Sequence, residues 1–239
     1  MSTPRFKRVL LKISGEALAG NQGFGLDGDT ISFIAQEVVK VAEKGVQVGI
    51  VVGGGNFIRG EQFSKGGYDR SVADQMGMLG TVMNSLALQN AIEQSGLQTR
   101  VQSAITVSQV AEPFIVRRAI RHLEKGRAVI FAAGTGNPYF TTDTAGVLRA
   151  LEIHADVIMK ATKVDGVYDK DPKKHTDAVK YDSLSFDTAI ENRLGVMDQT
   201  AFTMCREHDL PIIVLDLSER DAMVRAAMGE SVGTLVGGK

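Results

Sequence analysis

One alternation constrains the fold of this 239-residue chain more than any other feature. Five short apolar runs, rich in β-branched residues, are separated by stretches with helical spacing. The runs are FKRVLLKIS (6–14), VQVGIVV (46–52), AVIFAAG (128–134), DVIMKAT (156–162) and PIIVLDL (211–217). Each reads as a buried strand. Between them Ile31, Ile34, Ala35, Val38 and Ala42 recur at helical spacing, and Gly45 supplies a stop. Pro113 suits the first turn of another helix, with Val116, Ile120 and Leu123 inward and Gly126 at its end. Met197, Ala201, Met204 and His208 define one more helix face. Strands alternating with helices argue for an α/β domain around a mainly parallel sheet covered on both faces.

The longest helical pattern runs from Ser71 to about Ser95. Val72, Met76, Leu79, Met83 and Leu86 alternate spacings of four and three, and Val82, Leu88 and Ile92 lie elsewhere on the same helix. A helix apolar on several faces is either deeply buried or meets another subunit. No Pro/Ser-rich linker or repeat divides the chain, so a single domain is expected. Its lobes would span about residues 1–150 and 151–239.

The 27 basic and 28 acidic residues nearly cancel, which gives no global argument for nucleic-acid binding. A single cysteine, Cys205, rules out an intrachain disulfide and fits a reducing compartment. Lys12 interrupts the first apolar run, which is unlike a signal peptide, and no stretch approaches a membrane span. A cytoplasmic location with no membrane partner is the expectation.

The loops after the strands carry the chemistry. VVGGGNFIRG (51–60) joins an apolar run to three glycines, and an arginine follows. Glycine admits positive φ and close approach of a ligand to backbone amides. The loop fits neither G-x-G-x-x-G, because Ile58 stands where the last glycine belongs, nor the Walker pattern. A tight turn is the plainer reading of the triplet alone. Lys12 closes the first strand before Ser14-Gly15, and Lys160 repeats that arrangement. Lysines there either snorkel to solvent or meet anionic oxygens at the strands' carboxyl ends.

The segment AGTGNPYFTTDTAG (133–146) is denser still. Gly134, Thr135, Gly136, Asn137, Thr141, Thr142, Asp143 and Thr144 offer the hydroxyls and amides that suit a phosphorylated ligand with a polar base. Threonine caps on a following helix explain one or two of these residues, not the cluster. In KATKVDGVYDKDPKK (160–174), residues 164–167 read as a turn and Tyr168 offers a flat face for a base. A hairpin or ordinary surface loop is the alternative.

Together LLKISGEAL, GFGLD, VVGGGNFIRG, ADQMGMLGTVMN, AAGTGNPYFTTDTA, KATKVDGVYDKDP, VMDQTAF and VGTLV resemble the bacterial UMP (uridylate) kinases of the amino acid kinase family. The resemblance runs from residue 10 to residue 236. It implies a three-layer αβα sandwich and transfer of the γ-phosphoryl group of ATP to UMP with Mg2+. It also implies GTP activation, UTP inhibition and a homohexamer. By position, Lys12, Ile13, Ser14 and Gly15 match the first ATP-phosphate loop, and Gly55 and Arg59 match further ATP contacts. Thr162, Tyr168 and Asp171 match contacts to the adenine nucleotide. Gly54, Asp74 and the run Thr135, Gly136, Asn137, Pro138, Tyr139, Phe140, Thr141 and Thr142 match the UMP side. Gly20, Asn21, Gln22, Gly23, Phe24 and Gly25 match the segment linked to GTP. Departure comes at VLDLSERDAM, where many relatives read valine-phenylalanine-asparagine and then a proline-glycine turn.

An acceptor that is itself a phosphate monoester, with a second pKa near ~6, is already largely ionised at neutral pH. No essential general base and no dedicated carboxylate metal cage are therefore expected. Lys12, Lys160 and Arg59 are the candidates for stabilising the transferring group, with Asp143 orienting Lys12. Another amino acid kinase-family phosphotransferase, or a non-catalytic binder on the same scaffold, stands as the alternative. A dinucleotide oxidoreductase is disfavoured by the failed glycine pattern.

Overall fold

The computed structural model describes residues 3–58, 66–172, 174–192, 194–195 and 197–237. The sheet takes its strands from β1 (Arg8–Ile13), β2 (Gln47–Val52), β3 (Thr99–Ser103), β4 (Glu112–Pro113), β5 (Ala128–Ala132), β6 (Val157–Thr162), β9 (Ser183–Leu184), β10 (Ile212–Asp216) and β11 (Thr234–Val236). A separate antiparallel pair is made by β7 (Val167–Tyr168) and β8 (Lys180–Tyr181). Among the described residues the main sheet runs β4-β3-β5-β2-β1-β6-β10-β11-β9, and all its pairings are parallel except β10 with β11. The α/β class and the mainly parallel sheet are as the alternation requires.

Two buried clusters lie on opposite faces of this sheet. Helix α2 (Gly28–Glu43) covers one face with Ile31, Ile34, Ala35, Val38 and Val41, while Asp27 caps its start by accepting from the Thr30 amide. Helices α4 (Val116–Glu124), α5 (Thr142–Glu152) and α7 (Gln199–Glu207) cover the other, through residues such as Leu123, Val147 and Cys205. Helices α1 (Gly15–Leu18), α6 (Phe186–Glu191) and α8 (Ala222–Met228) are short connectors by comparison. Because β1 has β2 on one side and β6 on the other, the chain reverses its winding there. Open α/β sheets bind ligands in the crevice at the carboxyl ends of such strands.

The long helix α3 (Arg70–Gln94) is capped by Asp69, which accepts from the Ser71 and Val72 amides. Its buried side lies away from Val72, Leu79 and Met83. Ala73, Met78, Gly80, Thr81, Val82, Asn84, Ser85, Leu88 and Ile92 face inward. Val72, Leu79 and Met83 are about half exposed, at 48%, 51% and 50%. The stripe is therefore not core within this chain. On the inner face Gly80, Thr81 and Asn84 lie against the backbone of Gly54, Ala133 and Gly53, while Met78, Val82, Leu88 and Ile92 join the core.

Three local expectations change. Pro113 lies in the edge strand β4, opposite Ser103, and the helix starts at Val116. An edge is where a residue without a backbone N–H is tolerated. The inner face of α7 is Ala201, Phe202 and Cys205, whereas Met197 precedes the helix and His208 caps its end. The run TRVQS, too polar to stand out, forms the buried strand β3. At the VLDLSERDAM departure, Asp216 accepts from the Ser218 amide and hydroxyl. Asp221 takes φ +60° there, with its amide on Glu37 and its carboxylate on Lys40. These bonds close the turn at this departure.

Candidate active site

Lys12 and Lys160 are partners in the β1–β6 register, so parallel pairing sets their side chains side by side. Asp143 projects between them from the first turn of α5. Its two oxygens meet Lys12 Nζ at 2.5 Å and Lys160 Nζ at 2.8 Å. All three side chains are largely buried, at 8%, 15% and 14% exposure respectively. Burial pushes the Asp143 carboxyl up, but the ammonium groups of Lys12 and Lys160 outweigh it and hold it below the usual carboxylate range. Burial also lowers the Lys160 ammonium; Asp143 opposes that shift, Lys12 adds to it, and Asp198 opposes it in turn. Two ammonium groups share this one carboxylate in a poorly solvated place, with the Asp198 carboxylate also acting on Lys160. Charges so buried persist only where they are paired.

Asp143 is not the cap of α5. Thr141 holds that position, and its hydroxyl oxygen accepts from the Asp143 and Thr144 amides. The helix start is braced from outside by Asp198, the cap of α7, which accepts from the hydroxyls of Thr141 and Thr144. Asp198 lies in the quoted VMDQTAF run but had drawn no role from the sequence. Its contact to residues more than 50 positions earlier is invisible to spacing. Cys205, beneath this brace, is no nucleophile. Burial, then Asp143 and Asp198, push its thiol up to about 12.

Two cavities flank the charged cluster. One of about 160 Å³ is lined by Gly54, Arg70, Asp74, Thr135, Asn137, Phe140, Thr141 and Thr142 among others. Asp74 anchors its wall, accepting from the Tyr139 amide at 2.8 Å and from Arg70 Nε on both oxygens at 2.9 Å. Gly136, Pro138 and Tyr139 shape the loop instead of lining the cavity. Gly136 and Tyr139 have φ of +80° and +71°. Arg70 was missed in the sequence, although its placement four residues before Asp74 on a helix was the available signal.

The second cavity, of about 590 Å³, has Lys160, Thr162, Tyr168 and Asp171 in its wall, with the β7–β8 hairpin along one side. Tyr168 donates to Asp165 at 2.7 Å, and Lys180 pairs with the same carboxylate. Residues 164–166 turn, but Val167 is already strand. Among the described residues no histidine lines either cavity.

The glycine loops meet each other as well. The Ile13 side chain is fully buried, and its carbonyl accepts from the Gly53 amide, so only main chain of Ile13 faces this junction. Ser14 caps α1 by accepting from the Ala17 amide. The reason for glycine here is close packing, not positive φ. A Cβ on Gly15 would stand 2.6 Å from Asn56 Oδ1 and 2.7 Å from Gly55 N, and one on Gly54 would stand 2.4 Å from the Gly77 carbonyl. The segment from Gly20 to Gly25 wraps the outside of this junction. Gly20 and Asn21 line a further cavity of about 510 Å³ that shares Thr162 with the second one. Gln22 donates to Asp27, and Phe24 stacks edge-on against Phe57; Gly23 and Gly25 take positive φ. Arg59 lies outside the described residues.

A doubly covered parallel sheet with paired lysines at its switch point, glycine loops and no Walker lysine defines a class: phosphotransferases that hold phosphate by strand-end lysines and loop amides. Residues 7–216 match the amino acid kinase family, and the chain belongs to that family. It is a kinase, and the resemblance to the bacterial UMP kinases is borne out. A uridylate kinase of Dichelobacter nodosus is 56% identical over 233 residues, 98% of this chain and 97% of that protein. The UMP kinase structure from Bacillus anthracis superposes with a TM-score of 0.94 at 40% identity, covering 97% of this chain and 96% of that one. That from Ureaplasma parvum gives 0.91 at 36%, covering 98% and 100%. A uridylate kinase from Archaeoglobus fulgidus lies further off, at 0.73 and 30%, covering 96% and 99%.

Proposed function

We propose that this chain transfers the γ-phosphoryl group of ATP to UMP, giving ADP and UDP for pyrimidine nucleotide biosynthesis. The observation that carries the reading is the Lys12–Asp143–Lys160 cluster between two cavities, two buried ammonium groups held side by side where two polyanions would meet. The Asp74 and Thr135–Thr142 side takes UMP, and the Thr162, Tyr168 and Asp171 side takes ATP. The lobes then divide between β1 and β6, with about 1–150 binding the acceptor and about 151–239 binding ATP.

The acceptor phosphate attacks as an anion, so no base is assigned. Asp143, held below the ordinary carboxylate range, is a poor proton acceptor and a good orienting group. Lys12 and Lys160 stabilise charge on the transferring group, and amides of Gly15, Gly54 and Gly55 add dipoles. Among the described residues no group of three His, Cys, Asp or Glu side chains stands ready for a metal ion. Mg2+ would enter on the ATP phosphates, held by their oxygens and water, and shield their charge.

GTP activation through the Gly20–Gly25 segment, UTP inhibition and a homohexamer complete the proposal. The half-exposed Val72, Leu79 and Met83 stripe supports assembly. Among the described residues no helix is long and apolar enough to cross a membrane, and the one cysteine is buried and free. We place the enzyme in the cytoplasm. The test is ADP release from ATP and Mg2+ with UMP, CMP, carbamate or acetylglutamate, with and without GTP. UMP should be the preferred acceptor, and a preference for any other would overturn the reading.

A further inference from the structure

We infer that Asn56 and Asn84 are positioning residues that lock the two glycine loops and the 20–25 segment into one rigid unit. The inference rests on the reading above, in which those loops hold phosphate. Both side chains are buried, at 1% and 0% exposure, where an amide is expensive unless fully bonded. Asn56 Nδ2 donates to Asn84 Oδ1 at 2.9 Å, and Asn84 Nδ2 returns a bond to Asn56 Oδ1 at 2.7 Å. Each amide spends its second hydrogen on backbone. Asn56 reaches the Gly25 carbonyl at 2.7 Å, and Asn84 reaches the Gly53 carbonyl at 2.7 Å. The arrangement works in one orientation only, because flipping either amide sets oxygen against a carbonyl.

Four segments converge on this pair. The Gly25 amide donates to the Asn56 carbonyl, so segment 20–25 is held from both sides. Gly53 begins the triplet. Gly15, of the first loop, lies so close to Asn56 Oδ1 that no Cβ fits between them. Asn84 belongs to α3, whose neighbouring Thr81 accepts the Ala133 amide at 2.7 Å and so fixes the acceptor-side loop too. Residue 83, next to Asn84 in sequence, is the exposed Met83. A displacement of α3 or of segment 20–25 therefore has a short hydrogen-bonded route to Gly53, with Gly15 packed directly against Asn56 Oδ1. Coupling carried by such a satisfied network is best read by double-mutant cycles.

The test compares wild type with Asn56→Ala, Asn84→Ala and the double variant, using kinetics with ATP and UMP and hydrogen exchange of residues 20–27. Each single change should lower kcat by roughly tenfold or more, with smaller changes in either KM, because loop donors move off their reacting geometry. Exchange over 20–27 should accelerate in each. The double variant should lose much less than the product of the single losses. A merely structural role would lower the melting temperature while leaving kcat per active site and both KM values unchanged, and that result overturns the inference. Multiplicative losses also overturn it. Where Asn84→Ala does not fold, the isosteric Asn84→Asp keeps the acceptor for Asn56 and removes both donations from Asn84, to the Gly53 carbonyl and to Asn56 Oδ1. A wild-type chain that phosphorylates no acceptor would overturn the reading of the loops as phosphate sites. Exchange over 20–27 would then decide the coupling by itself, with unchanged rates in the variants overturning it.

Discussion

Lys12 and Lys160 stand side by side on adjacent parallel strands and share the two oxygens of a single carboxylate, Asp143, at 2.5 and 2.8 Å. Strand register fixes the first pair of positions, and a helix N-terminus arriving from the next element fixes the third. Geometry set by sheet and helix, not by a loop, is what a preorganised electrostatic site needs.

Lys12→Ala removes one of the two cations while leaving Asp143 paired with Lys160. Loss of one preorganised donor costs on the order of 10²–10³ in rate. Turnover with ATP and UMP should fall by at least that order, with the far-UV circular dichroism of the folded protein retained. Near-normal turnover in the folded variant would remove Lys12 from the chemistry.

Asp143→Asn leaves two neighbouring buried ammonium groups without their counter-ion. Breaking a buried pair from one side costs about 3–5 kcal/mol. Denaturant unfolding should show a loss of that order at neutral pH. The Asp143 pKa is depressed in the folded chain, so its contribution is complete above the ordinary unfolded value and disappears only as pH falls through the lower folded one. The gap between wild type and variant should therefore persist at pH 5 and close in strong acid. A gap already gone at pH 5 would contradict the depressed carboxylate.

The alkaline side belongs to Lys160. Its folded pKa lies below the ordinary lysine value, so between the two values the unfolded chain binds more protons and stability rises with pH. Activity should move oppositely, because the charge that stabilises transfer is lost before an ordinary lysine would lose it. An alkaline fall in kcat below the usual lysine range is expected. Lys160→Arg, charged throughout, should shift that fall upward even where its kcat is lower. An unmoved alkaline limb would assign it to another group.

Much of this site was legible because its parts are local. A buried run ending in lysine, then a glycine loop, is a short pattern, and so is the threonine-rich segment that caps α5 while presenting Asp143. What escaped the sequence depends on contacts between distant segments. Asp198 meets Thr141 and Thr144 only after α7 packs on α5. Asn84 matters only through Asn56 and Gly53. The inner face of α3 escaped for a related reason: Gly80 and Thr81 lie against the backbone of Gly54 and Ala133, and apolar periodicity does not register small or polar residues. The glycine triplet is legible as a loop, but Gly53 and Gly54 also answer to packing by Gly15 and Gly77, which spacing does not show.

Asp74→Ala removes the acceptor for the Tyr139 amide and the partner of Arg70 in the smaller cavity. The damage should fall on UMP. Its KM should rise by roughly tenfold, as for a lost charge-assisted hydrogen bond worth ~1.5–3 kcal/mol, while the KM for ATP changes little. Unchanged UMP kinetics in initial-rate assays would take Asp74 out of the acceptor site.

The outward stripe of α3 gives the last prediction. Leu79 and Met83 lie one turn apart on the same face and are about half exposed, as is Val72 two turns before Leu79. Half-exposed apolar residues in a line are normal for an interface and costly to leave bare. Leu79→Lys with Met83→Lys places two like charges at the centre of that face without touching the inward side chains of Thr81 and Asn84. Light scattering coupled to size exclusion should then report a smaller assembly than wild type at equal concentration, with the fold intact by circular dichroism. If both proteins elute with the same multimeric mass, the interface lies elsewhere. A monomeric wild type would instead mean that the stripe is simply exposed.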